Sequence, residues 1–143
     1  MREVSAGGVV VRRMRGRLWL AAIEPQGRPG VRALPKGIVD RGEEPLQTAL
    51  REVAEETGLQ AAPVASLGSV RYVYARGGRR IFKIVTFYLM RYRSGRLGEI
   101  SPAMRREVAS CHWLALDEAP RALSYRGERD MARAAAERLV APV

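Results

Sequence analysis

Apolar and polar positions alternate through "SVRYVYARGGRRIFKIVTFYLMRY", a stretch rich in β-branched and aromatic residues. A period of two predicts strands over Val70 to Ala75 and Ile81 to Tyr92, joined by a hairpin at Arg76 to Arg80 in which Gly77-Gly78 makes the turn. "VSAGGVVVR" and "RLWLAAIE" predict two earlier strands, separated by a basic turn, Arg12 to Arg17, that reads as a solvated loop. "SCHWLAL" predicts a last strand, with a short helix from Asp117 after it. In "ERDMARAAAERLVA" the apolar positions Met131, Ala134, Ala135 and Leu139 recur at helical spacing and predict a C-terminal helix.

The middle of the chain changes period. Pro45 suits a first helical residue and Gly58 a stop, so Pro45 to Thr57 is predicted as a helix. Leu46, Ala49, Leu50 and Val53 fall three or four apart and form the stripe that packs on a sheet. Interleaved strands and helices, without repeats or linkers, predict a single-domain α/β or α+β sandwich spanning residues 1–143.

Charge then singles out one window. The chain carries a formal charge of +10, and 23 of its 25 basic residues are arginine, a side chain that grips phosphate with two parallel bonds. Yet "GIVDRGEEPLQTALREVAEETGL", Gly37 to Leu59, gathers Asp40, Glu43, Glu44, Glu52, Glu55 and Glu56 against only Arg41 and Arg51. On the predicted helix Glu52, Glu55 and Glu56 stand at i, i+3 and i+4, so their carboxylates converge and repel. One guanidinium, Arg51, cannot neutralise three of them, and the missing charge points to a divalent cation. With one cysteine, Cys111, and one histidine, His112, an internal disulfide is excluded and a zinc site lacks ligands, so oxygen-ligated magnesium fits better. No apolar run is long enough to span a membrane and no signal peptide is evident, which leads to the expectation of a cytoplasmic protein.

The spacing in that window resembles the Nudix box, G-x5-E-x7-R-E-U-x-E-E-x-G-U with U aliphatic. Gly37, Glu43, Arg51, Glu52, Val53, Glu55, Glu56, Gly58 and Leu59 match every fixed or aliphatic position. Resemblance to Nudix hydrolases implies an α/β/α sandwich with a mixed β-sheet. It also implies hydrolysis of a nucleoside diphosphate linked to another moiety, with magnesium or manganese as cofactor. It makes Glu52 and Glu56 metal ligands, Glu55 a ligand of a second ion or an aid to the attacking water, and the Gly37 carbonyl a further ligand. Arg51 and Glu43 then orient the glutamates and the loop, and Glu52 or Glu55 is the base. Glu107, six residues before Trp113, matches a place where some relatives carry an extra glutamate that binds metal or acts as base; the other reading is a surface acid paired with Arg105 or Arg106.

"LPKG" at Leu34 to Gly37, with the strands around it, looks like the diadenosine polyphosphate hydrolase branch. Lys36 would meet a phosphate, Arg80 and Lys83 the rest of a long phosphate chain, and Tyr72, Tyr74 or Tyr125 a base. Arg32 stands where relatives often carry tryptophan, and would suit a site richer in phosphate, an inositol pyrophosphate included. Triphosphate pyrophosphatase activity on damaged nucleotides is the alternative within the family. A ligand-sensing or RNA-binding domain is the alternative outside catalysis, and a capped or triphosphorylated RNA end is a further candidate substrate. Cys111 and His112, adjacent in a strand, point to opposite faces and make no dyad, while Trp19 and Trp113 are read as core or interface packing. The expected assembly is a monomer or homodimer.

Overall fold

The structure, a computed structural model, describes residues 2–140. Its elements run β1 (Arg2–Met14), β2 (Arg17–Pro25), β3 (Lys36–Ile38), α1 (Pro45–Thr57), β4 (Gln60–Arg76), β5 (Arg79–Ser94), β6 (Val108–Ala115), α2 (Ala119–Ala122) and α3 (Arg126–Val140). One sheet has the order β4-β5-β1-β2-β6, with β3 beside the first half of β1. β1 and β5 pair in parallel while the other pairs are antiparallel, so the sheet is mixed.

Both sheet faces are covered, which is why the central strand β1 reads as a nearly continuous apolar run rather than an alternation. On one face α1 buries Ala49 and Val53 against Ala6, Val10, Ala21, Leu59 and Met90. On the other, α2 and α3 bury Ala119, Met131, Ala132 and Ala135 against Val9, Leu20, Ala22, Val85, Phe87 and Leu89. Helix, sheet and helix make the expected α/β/α sandwich. Among the described residues no helix is long and apolar enough to cross a membrane.

The structure corrects the sequence reading in four places. β4 begins at Gln60, not Val70; its first half buries no residue fully and its register against β5 shifts at Gln60/Ala61, Pro63/Ala65 and Ser66/Gly68, which breaks the period of two. The basic turn shrinks to Arg15-Gly16, because β1 runs on through Arg12 and Arg13 to Met14. Arg12 is no solvated loop residue: its guanidinium lies 4.0 Å from the Tyr92 ring centre and 5.8 Å from that of Trp113. In α3 the buried face includes Ala132, whereas Leu139 is 41% exposed; Ala141, the end of the expected helix, lies outside the described residues.

Candidate active site

The helix that carries the acids is fixed at both ends by its own sequence. Pro45 opens it, the Gln47 side chain accepts the Glu44 backbone N–H at 2.9 Å, and Gly58 closes it with φ 82°, a left-handed turn that favours glycine. Arg51 then acts as a hub. Its Nε donates to Glu43 at 2.7 Å, its Nη2 lies 3.3 Å from Asp40, and its Nη1 lies 3.0 Å from Glu52 and 3.3 Å from Glu55. Arg51, with help from Thr48 and the Asp40 backbone, holds the Glu43 carboxyl down at about 2.

Glu52 and Glu56 fare differently. The Glu52 side chain is only 12% exposed, against 42% for Glu55, and burial pushes its pKa up despite Arg51. Glu56, inaccessible to Arg51, is pushed up to about 8, first by burial and then by the Glu52 charge, while the Lys36 N–H at 3.1 Å works the other way. Glu107 adds repulsion to both and shares a cavity with Glu56. It forms no ion pair with Arg105 or Arg106. β3 presses on this cluster: a Cβ on Gly37 would meet the Glu52 carboxyl, so a larger residue there would displace that carboxylate. Among the described residues no three His, Cys, Asp or Glu side chains form a ready-made metal cage. What stands together is a set of hard oxygen donors, Glu52, Glu56, Glu107 and the β3 backbone, whose mutual repulsion a divalent cation would relieve.

A cleft leads away from the acids on the α3 side of the sheet. A cavity of about 230 Å³ is lined by Glu56, Glu107, Arg28, Lys36 and Tyr125, and a second of about 340 Å³ by Arg28, Lys36, Tyr72, Tyr74, Lys83, Tyr125 and Glu128. Arg28, Lys36 and Tyr125 belong to both. Arg28 Nη1 donates to the Tyr125 hydroxyl at 2.6 Å, and Lys36 Nζ sits 5.9 Å from that ring centre. Burial, followed by the neighbouring Lys36, lowers the Lys83 pKa; burial, followed by Glu128, pushes the Tyr72 phenol up to about 12. The Tyr74 hydroxyl donates to Glu3 at 2.9 Å, so its ring lines the cleft with its polar end engaged.

Two residues expected here lie elsewhere. Arg80 pairs across from Ala75 and Lys83 from Tyr72, and an odd spacing on a regular strand sends them to opposite faces, so Lys83 enters the cleft and Arg80 does not. Arg32 does not line the cleft; its guanidinium is held by Glu24 at 2.9 Å. Arg28 and Glu128 were not singled out by the sequence, since one lies in a loop and the other in a helix end that reads as solvated. Cys111 donates to the Glu56 carbonyl and His112 meets Ser110, which keeps the two apart.

Comparison with known proteins agrees with this architecture. The chain is 38% identical over 141 residues to a Mycobacterium tuberculosis protein named as the mutator protein MutT4, covering 94% of this chain and 55% of that one. It is 36% identical over 85 residues to the asymmetrical bis(5'-nucleosyl)-tetraphosphatase of Rattus norvegicus, covering 59% of this chain and 56% of the relative. An 8-oxo-(d)GTP phosphatase of Mycolicibacterium smegmatis is 36% identical over 101 residues, covering 71% of this chain and 29% of its own length. The chain thus spans about half the length, or less, of these curated relatives. Among solved structures, an Ap4A hydrolase of C. elegans superposes with a TM-score of 0.72 at 20% identity, covering 96% of this chain and 97% of that one, a likeness of fold alone. The NUDIX domain model matches residues 1–136, and the chain belongs to the Nudix family.

Proposed function

We propose that this chain is a magnesium- or manganese-dependent pyrophosphohydrolase of nucleotide polyphosphates, with a dinucleoside polyphosphate as substrate. One observation carries the reading: two cavities that share Arg28, Lys36 and Tyr125 bring the repelling carboxylates Glu56 and Glu107, with Glu52 beside them, next to a wall of Arg28, Lys36 and Lys83 with three tyrosines. An acid end suits cations, a basic end suits phosphates, and tyrosine faces suit a base.

Glu52, Glu56, Glu107 and the Gly37 carbonyl would hold the first cation, and Glu55 a second. Bound there, the cation neutralises phosphate oxygens and makes a coordinated water more acidic. The chain's own groups do the rest. Lys36 and Lys83 hold non-reacting phosphates, and a tyrosine among Tyr72, Tyr74 and Tyr125 stacks on a base. Glu52, or Glu55 tethered to Arg51, takes the proton of the attacking water. Arg51 keeps Glu43 and the loop in place and holds Glu52 where it would ligate a cation.

The 8-oxo-(d)GTP phosphatase among the relatives favours a second reading, a nucleoside triphosphate pyrophosphatase. A panel of dinucleoside polyphosphates, nucleoside triphosphates, sugar nucleotides and capped RNA, assayed with magnesium and with products identified, separates the two. A pair of nucleotides from a dinucleoside polyphosphate supports the proposal. A preference for triphosphates yielding monophosphate and pyrophosphate replaces it with the second reading.

A further inference from the structure

Glu128 is a carboxylate with no exposed surface, in the first turns of α3. An isolated buried charge costs several kcal/mol, so its partners define what it is for. Its Oε1 atom accepts the Leu34 N–H at 2.7 Å. A neutral amide would do that equally well without the cost of a charge. The other oxygen makes no well-formed hydrogen bond; what faces it is Lys36 Nζ, at 3.1 Å. Lys36 in turn gives its backbone N–H to Glu56 at 3.1 Å, and its side chain stands in both chambers of the cleft. One carboxylate from α3 therefore holds both ends of the Leu34–Lys36 segment, at the boundary between the acidic and basic chambers.

We propose that Glu128 is a positioning residue: acting through Lys36, it sets where a phosphate chain crosses from the basic chamber to the acidic one. The claim rests on the function proposed above, but its test does not require turnover. Calorimetric titration of ADP in the presence of magnesium gives the dissociation constant for wild type, Glu128→Gln, Lys36→Met and the double variant. Glu128→Gln should weaken ADP roughly tenfold, because the lysine loses the anion that orients it. In the Lys36→Met background the same change should alter binding by less than about twofold, since residues acting as a unit are not additive.

In turnover assays Glu128→Gln should raise KM and leave kcat within about threefold, as expected for a binding contact. Equal losses in both backgrounds would reduce Glu128 to a structural anchor and overturn the proposal, as would unchanged ADP binding in Glu128→Gln. Should that variant not fold, wild-type protein still decides: the Lys36 ammonium should give a discrete, slowly exchanging ¹⁵N resonance, and a rapidly averaged one counts against it. Intact coupling in a protein that hydrolyses nothing in the substrate panel would sink the function and keep the lysine geometry.

Discussion

The two ends of the cleft hold their charges in different ways. At the acidic end one arginine, Arg51, contacts Asp40, Glu43, Glu52 and Glu55, yet among the described residues Glu56 makes no ion pair and feels the Lys36 charge only at longer range. At the basic end Lys36 pairs with one buried carboxylate, Glu128, Arg28 meets the Tyr125 hydroxyl, and Lys83 stands among tyrosine rings. Each end is short of the charge that the other partner of a metal-polyphosphate complex would bring. The surplus of charge is local in both, which explains how a chain of net charge +10 presents a cation site at all.

The largest effect should come from the least compensated acid. Glu56→Gln is expected to lower kcat by at least about a hundredfold with the fold intact, since it removes a ligand charge and keeps the shape. Circular dichroism and steady-state kinetics would check both halves, and a near wild-type rate would move the site away from α1.

At the basic end, the two residues that the sequence grouped should now separate. Lys83→Met should raise KM several-fold more for diadenosine hexaphosphate than for the triphosphate, because added phosphates come within its reach. Arg80→Met, on the opposite face, should change either KM by less than about twofold. Equal losses for the two variants would mean that both merely make the surface basic.

Stability should show the smallest but most diagnostic effect. The folded pKa of Glu56 lies above its ordinary value of 4.5, at about 8, so the folded state binds more protons and stability falls as pH rises through that window. Glu43 has the opposite sign: held at about 2, it contributes stability above pH 4.5 that is lost as pH falls toward its folded value. Metal-free protein should therefore melt highest near pH 5 and lose on the order of a few degrees by pH 8. Added magnesium should restore more at pH 8 than at pH 5, because it competes with the proton for Glu56. A flat melting profile from pH 5 to 8 would mean that Glu56 is not a strained acid.

The same contrast explains what could be read from the sequence. Apart from Glu107, the acid end comes from one stretch of chain, where Pro45, Gly58 and the spacing of Glu52, Glu55 and Glu56 specify a helix and its faces without tertiary information, and α1 runs from Pro45 to Thr57 as expected. The basic end is assembled from a loop, β3, β4, β5 and α3, so Arg28 and Glu128 carried no local signal. Lys36 came from the "LPKG" stretch, Arg32 from its place before that stretch, and Lys83, Arg80 and the tyrosines from residue type; Arg80 and Arg32 do not line the two cavities, because their directions depend on strand parity and on Glu24. The first half of β4 was invisible because Pro63, Gly68 and three register shifts erase its alternation.

On the proposed function, the carboxylates of α1 support hydrolysis of a polyphosphate only with a divalent cation among them. The most direct test is the rate of diadenosine tetraphosphate cleavage by protein stripped with EDTA, measured before and after excess magnesium is added. Without metal the rate should fall below about one per cent of the full rate and recover completely once magnesium is restored; full activity in excess EDTA would remove the cation from the mechanism.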